Sequence, residues 1–202
     1  MTEALPEGRL ENVSAALLLG GASSRMGEDK AARHFAGEPA ATRASRMLAS
    51  LFEDVLLVGG TPPAGAVGRA VADGEGERSA LRGLVAALAA AHAPRVVVLA
   101  TDLVRLTPDL VLALVAWPEA DVVLPRRGGW IEPLCAIWRR EIALAAARAQ
   151  LAAGRFALHA LVAKLDARFL EGDDLRRIDP DDSALANANT PDEWSLLEAE
   201  SS

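Results

Sequence analysis

The sequence predicts a three-layer α/β/α domain built on a mostly parallel sheet. Three observations carry that expectation. Short apolar runs at 13–19, 55–58 and 95–100 alternate with longer segments whose apolar residues recur at helical spacing. The run Val96 to Ala100 is apolar at every position, as a strand covered by helices on both faces must be. Glycine or aspartate stands directly behind the strands, at Gly20-Gly21, Gly59-Gly60, Asp73 and Asp102, where a buried chain has to turn back at the sheet edge.

The elements follow in order. Residues 1–12 are polar, carry three glutamates and are expected to form a flexible tail. The domain is expected over 13–198, a length that suits one core with no interdomain linker. After the first strand and its loop, Ala44, Met47, Leu48 and Leu51 mark a helix over 40–52, followed by a strand at 55–58. Pro62-Pro63 breaks the chain before a short strand at 69–72. A helix is expected over 80–91 and a strand over 95–100. Thr107-Pro108 starts another helix, with a hydroxyl cap and proline in the first turn. Strands are expected at 121–125 and 134–138, and helices at 140–151, 156–165 and from Pro191.

Composition excludes several classes. The net charge is −7 and no basic cluster exists to neutralise a nucleic-acid backbone. The single cysteine, Cys135, excludes an internal disulfide and fits a reducing cytoplasm. The first apolar run is too short to span a bilayer and lacks a basic flank; the alanine-rich segment 84–93 ends at Pro94 and reads as a core helix. A soluble, cytoplasmic protein without nucleic-acid or membrane partners is expected.

The stretch Leu17-Leu18-Leu19-Gly20-Gly21-Ala22-Ser23-Ser24-Arg25-Met26-Gly27-Glu28-Asp29-Lys30 carries the chemistry. Paired glycines after a buried strand let the backbone approach a ligand closely, with N–H groups available to phosphate oxygens. Arg25 adds a planar fork of donors and Lys30 a compact charge, the two cations that suit a polyphosphate. Ser23 and Ser24 have no base signature nearby and offer hydroxyl donors rather than a nucleophile. The pattern is not a P-loop, since Lys30 precedes Ala31, and the glycines at 20, 21 and 27 do not form the dinucleotide fingerprint.

In doubly wound sheets, ligands sit beyond the carboxyl ends of the strands. Four features fall at that edge: the loop 20–30, Asp73, Thr101-Asp102, and Glu132-Pro133 between two strands. Asp102 ends the most apolar strand and is the candidate ligand for a hard cation, which one or two carboxylates suffice to hold. A turn or helix-capping aspartate is the alternative reading. Asn187 and Asn189 put two amides on one face of an extended segment, while Thr190-Pro191 with Glu193 also reads as a plain helix start.

Apolar-x-Gly-Gly-x-x-Ser-x-Arg-Met-Gly-x-Asp-Lys resembles the signature loop of the molybdenum cofactor guanylyltransferases, within the wider nucleotidyltransferase superfamily. The resemblance covers about 14–197 and implies a Rossmann-like nucleotidyltransferase domain. It implies nucleotide contacts from Leu18, Leu19, Gly20, Gly21, Ser23, Lys30, Asp73 and Asp102, with Arg25, Lys30 and Asp102 catalytic and Mg²⁺ on Asp102. Asn187-Ala188-Asn189-Thr190-Pro191 is similar to the family motif lining the pterin side, and Glu132-Pro133-Leu134 to a polar-Pro-apolar segment of the acceptor half. The implied reaction moves GMP from GTP to the phosphate of molybdopterin or the molybdenum cofactor. Cofactor-assembly proteins and recipient molybdoenzymes are the implied protein partners. Cytidylyl transfer, transfer to another small phosphate, and a non-enzymatic nucleotide sensor are the alternatives.

The chain departs from the family pattern in places. It reads Ala100-Thr101-Asp102-Leu103-Val104 around the metal aspartate, Leu19 replaces the usual alanine, and Val58-Gly59-Gly60 lacks an asparagine seen in some guanylyl enzymes. Asp73 could accept the paired N1–H and N2–H donors of guanine, which favours GTP over CTP. His34, His92 and His159 match no metal or triad spacing, and Cys135 reads as inert packing. Trp130 could stack on a ligand or sit at the edge of the core.

Overall fold

The computed structural model describes residues 8–20, 33–74, 79–186, 188, 193, 194 and 197. Its strands and helices follow the expected alternation. β1 (Val13–Leu18) leads to a small hairpin, β2 (His34–Phe35) and β3 (Glu38–Pro39), and then α1 (Ala40–Leu51). β4 (Val55–Val58), β5 (Arg69–Val71), α2 (Ala80–Ala90), β6 (Arg95–Ala100) and α3 (Pro108–Ala116) come next. The second half holds β7 (Val122–Arg127), β8 (Trp130–Ile131), β9 (Cys135–Arg139), α4 (Arg140–Ala152), α5 (Leu158–Val162), β10 (Ala167–Leu170) and α6 (Gly172–Ile178).

Among the described residues the main sheet runs β10-β7-β9-β6-β1-β4-β5, with β8 on β7. β1 lies in the interior of the sheet, parallel to β4 on one side and to β6 on the other. Alternate side chains feed two cores, as the two-residue period of a strand requires. Ala15, Leu17, Val97 and Leu99 pack toward α1, α3 and α6; Ala16, Leu18, Val96 and Val98 pack toward α2, α4 and α5. Covered on both faces, β1 has no polar position except Ser14.

β9 is the one correction to the parallel order among the strands expected from sequence. It runs antiparallel to both β6 and β7, with Leu99 opposite Cys135 and Val123 opposite Ile137. Only the β7–β8 hairpin and a turn separate it from β7, too little chain for a crossover helix, so reversal was the available geometry. The reversal carries Glu132-Pro133-Leu134 to the edge where β1, β4 and β6 end. The helix expected over 156–165 is shorter, at Leu158–Val162, and a turn precedes β10. Within the stretch expected as a tail, Leu10 bridges Phe52, its N–H reaching the Leu51 carbonyl at 2.8 Å.

Ser14 shows how the opposite sheet edge is held. Its hydroxyl donates to Asp54 Oδ2 at 2.6 Å and accepts the Ala93 N–H at 3.0 Å. Arg69 Nε donates to Asp54 Oδ1 at 3.0 Å, and the His92 N–H reaches Oδ2 at 3.1 Å. Burial pushes the Asp54 carboxyl up, but the donors from Arg69, Ser14 and His92 outweigh it and leave the group below its ordinary range. A lowered carboxyl stabilises the fold above the unfolded pKa, and that contribution is lost as pH falls through the folded value. Asp54→Ala leaves these donors unpaired and is expected to cost about 1–3 kcal/mol near neutral pH. Thermal melts of both proteins should converge as pH drops through the acid range; an unchanged midpoint at neutral pH would remove this network as a support.

Candidate functional site

β1 ends with Leu18, Leu19 and Gly20 at the same edge as Gly59, Asp73 and Asp102. Leu18 and Leu19 are buried, so their side chains belong to the core and only their backbone can face a ligand. Leu19 donates its N–H to the Val58 carbonyl at 2.9 Å, which carries β1 one residue beyond its ladder. Leu18 lies against Gly83 in the first turns of α2, where an added Cβ would stand 3.3 Å from Leu18 Cδ1. α2 therefore meets the edge closely, with its start capped by the Ser79 hydroxyl, which accepts the Arg82 N–H at 3.2 Å.

Gly59 and Gly60 both adopt left-handed backbone, with φ of +70° and +59°. A Cβ on Gly59 would sit 3.1 Å from Asp73 Oδ2, and one on Gly20 would be 3.8 Å from the Gly60 amide nitrogen. The structure thus brings Gly20, Gly59, Gly60 and Asp73 together, although Asp73 follows Gly20 by more than fifty residues. The Gly59 N–H donates to the Val71 carbonyl at 2.8 Å, which pins the strand end that presents the Asp73 carboxylate. Backbone amides and one half-buried carboxylate make this side suited to a nucleobase and its sugar.

The other half is built around Asp102. The Thr101 hydroxyl donates to the Leu18 carbonyl at 3.3 Å, locking the turn after β6 onto the end of β1. Asp102 is not the cap of the helix that follows it; α3 starts at Pro108 and is capped by Thr107, whose hydroxyl accepts the Leu110 N–H at 3.3 Å. The Ala100 N–H donates to the Leu134 carbonyl at 2.9 Å, which seats Glu132-Pro133-Leu134 beside the Asp102 turn. Glu132 Oε1 accepts the Leu134 N–H at 3.2 Å, so this carboxylate shapes its own turn.

The C-terminal segment reaches the same place. Ala188 donates its N–H to the Asp102 carbonyl at 3.1 Å, which puts this residue against the turn after β6. A buried aspartate that sequence reasoning missed guides it there. Asp179 is 2 % exposed, accepts the Ala184 N–H at 3.0 Å and pairs with Arg127 at 3.3 Å. Its sequence, Asp179-Pro180-Asp181-Asp182, carries only a turn signal.

Gly21, Ser23, Arg25, Lys30, Asn187 and Asn189 lie outside the described residues. His34, His92 and His159 are exposed and stand on separate elements. Cys135 is fully buried, and burial, with the negative charges of Glu132 and Asp179, pushes its thiol far up, which leaves it inert. Trp130 sits at the turn of the β7–β8 hairpin, 80 % exposed, so it is not an edge-of-core residue. No group of three or more acidic, histidine or cysteine side chains with metal-site geometry occurs among the described residues, and no helix there is long and apolar enough to cross a membrane.

Known proteins share this fold. Residues 15–169 match the model of the MobA-like NTP transferase domain. A probable molybdenum cofactor guanylyltransferase of Chloroflexus aggregans is 33 % identical over 198 residues, covering 93 % of this chain and 94 % of that one. A molybdenum cofactor guanylyltransferase of Desulfosudis oleivorans is 30 % identical, covering 94 % and 96 %. Among solved structures, molybdopterin-guanine dinucleotide biosynthesis protein A of Archaeoglobus fulgidus superposes with a TM-score of 0.79 at 19 % identity, covering 95 % and 98 %. With a family match across most of its length, this chain is a nucleotidyltransferase belonging to the MobA-like NTP transferase family.

Proposed function

We propose that the protein transfers GMP from GTP to the phosphate of molybdopterin, or of its molybdenum-bearing form, in a Mg²⁺-dependent reaction. The observation that carries this reading is the meeting, at one sheet edge, of the Gly20–Gly59–Asp73 cluster with the Asp102 turn and Ala188. The first half suits the nucleotide and the second an acceptor, with the transferring phosphorus between them. The guanylyltransferase names of the relatives from Chloroflexus aggregans and Desulfosudis oleivorans support the same reading.

Asp102 supplies the hard oxygen that Mg²⁺ needs, and a single carboxylate is enough when phosphate oxygens and water complete the coordination. When bound, the metal neutralises charge on the phosphates and orients them. The chain does the rest by positioning. The acceptor phosphate oxygen attacks the α-phosphorus, the bond between α-phosphorus and its bridging oxygen breaks, and pyrophosphate leaves with that electron pair. Arg25 and Lys30 stabilise the growing charge on the transferring and leaving groups. A phosphate nucleophile is already ionised at neutral pH, so the step requires no general base. Asn187 and Asn189 offer amides to the acceptor, and Glu132 and Pro133 belong to the same acceptor half. The reducing cytoplasm is the compartment in which this chemistry is placed.

A competition assay at equal GTP and CTP, with molybdopterin and Mg²⁺, tests the nucleotide assignment. GMP product should predominate, and Asp73→Ala should lower GTP use by roughly tenfold or more, because guanine's two adjacent donors lose a paired acceptor. Predominant CMP incorporation, or GTP use insensitive to Asp73→Ala, would defeat the guanylyl reading in favour of a cytidylyl enzyme.

A further inference from the structure

A third apolar cluster, separate from the two main cores, contains Phe35, Ala40, Val104, Ala188, Trp194 and Leu197. Its members come from only three places: the residues just after the loop 20–30, the turn after β6, and the C-terminal segment. Packing energy here therefore orders those three segments against one another rather than the sheet. Trp194 is its centre. The indole is 3 % exposed and its Nε1–H donates to the His34 carbonyl at 2.6 Å. The Arg33 guanidinium stands 5.0 Å from the ring centroid, and Phe35 meets the ring edge-on at 6.2 Å and 85°. Three consecutive residues at the exit of the nucleotide loop thus touch one side chain 160 positions away in sequence.

The same segment holds the other half of the site. Ala188 donates to the Asp102 carbonyl at 3.1 Å, and Arg105 Nη2 donates to the Leu197 carbonyl at 2.6 Å. Both contacts fall on the turn after β6. We propose that Trp194 is a positioning residue for nucleotidyl transfer: it fixes where the nucleotide loop ends, and the C-terminal segment that bears it ties that end to the Asp102 turn. Trp194 touches no reacting group. It acts through Arg33 and His34 on the loop that carries Lys30, where displacements near 1 Å are costly to rate. Because the Ala188 N–H bonds the Asp102 carbonyl, an acceptor seated at that turn engages the same segment, and by linkage nucleotide and acceptor should strengthen each other's binding.

This inference rests on the proposed transfer reaction, and the test separates the two. Trp194→Phe, Trp194→Ala and Leu114→Ala are compared with the wild-type protein by thermal melting, by kcat and KM for GTP, and by calorimetric titration of GTP with and without molybdopterin. Leu114 lies buried in α3, outside the third cluster, and serves as a purely destabilising control. Trp194→Phe keeps an aromatic ring but loses the donor to His34, and kcat should fall about fivefold with KM changed by less than about threefold. Trp194→Ala should lower kcat by roughly thirtyfold or more and abolish the mutual strengthening of GTP and molybdopterin. Leu114→Ala should melt earlier yet keep both constants below its midpoint. Wild-type kcat in Trp194→Phe, or a parallel fall of kcat in Leu114→Ala, would overturn the positioning role. Wild-type turnover with CTP alone would overturn the guanylyl reading instead, and the same variants measured with CTP would still decide the positioning role.

Discussion

Asp102→Asn is expected to lower Mg²⁺-dependent turnover by a factor of about 10² or more while leaving the melting temperature nearly unchanged. The amide keeps the shape of the side chain but removes the charge that holds a hard cation, whose stabilisation of phosphate charge is worth several kcal/mol. The fold should survive because several contacts that seat this turn are made by other atoms. Its carbonyl takes the Ala188 N–H, Thr101 bonds to the Leu18 carbonyl, and α3 has its own cap at Thr107. Turnover measured across a Mg²⁺ titration, with Mn²⁺ binding followed in parallel, separates a weakened metal site from a misfolded one. Wild-type activity and wild-type metal dependence in this variant would make Asp102 an ordinary turn residue and move the metal to another carboxylate.

The sheet centre was legible because burial on both faces leaves an unmistakable apolar run, and β1, β4 and β6 stand where those runs stand. Direction was not legible for β9. A buried antiparallel strand presents the same apolar side chains as a parallel one, and only the short connection after β7 betrays it. β10 and α6 were passed over for another reason. Arg168 is exposed on an edge strand of four residues, and α6 buries only Leu175 among its described positions while pairing Asp173 with Arg176 and Asp174 with Arg177. Segments that short carry too few turns for periodicity to register.

The site divides in the same way. Residues at strand ends could be listed in order along the chain, and the doubly wound rule then puts them at one edge. What no local pattern carries is contact between distant loops. Asp73 lies against Gly59 because β5 pairs with β4, and Asp179 meets Arg127 because the C-terminal segment folds back over β7. Nothing in the local sequence singles out Trp194; its hydrogen bond to His34 is a tertiary fact that only the assembled fold expresses.

Lys30→Ala and Arg25→Ala are each expected to reduce turnover by roughly 10²–10³, the loss that follows removal of one preorganised donor from a developing negative charge. Neither residue lies on an apolar period, and the described cores are filled from the strands and helices on either side of the loop. The loop's ends are held without them: Leu19 is bonded to Val58 before it, and after it the Arg33 carbonyl accepts the Ala40 N–H at 2.9 Å. Melting temperatures without ligand should therefore match the wild type, and full activity in both variants would remove the loop from the mechanism. Arg25→Lys should rescue Arg25→Ala poorly, since a point charge cannot reproduce a bidentate fork. The double variant is the sharper measurement. If both cations grip the same phosphates in the transition state, removing the second costs less than removing the first, and the combined loss falls short of the product of the two. Full multiplicativity would assign them to separate groups, one to the leaving pyrophosphate and the other to the transferring phosphoryl group.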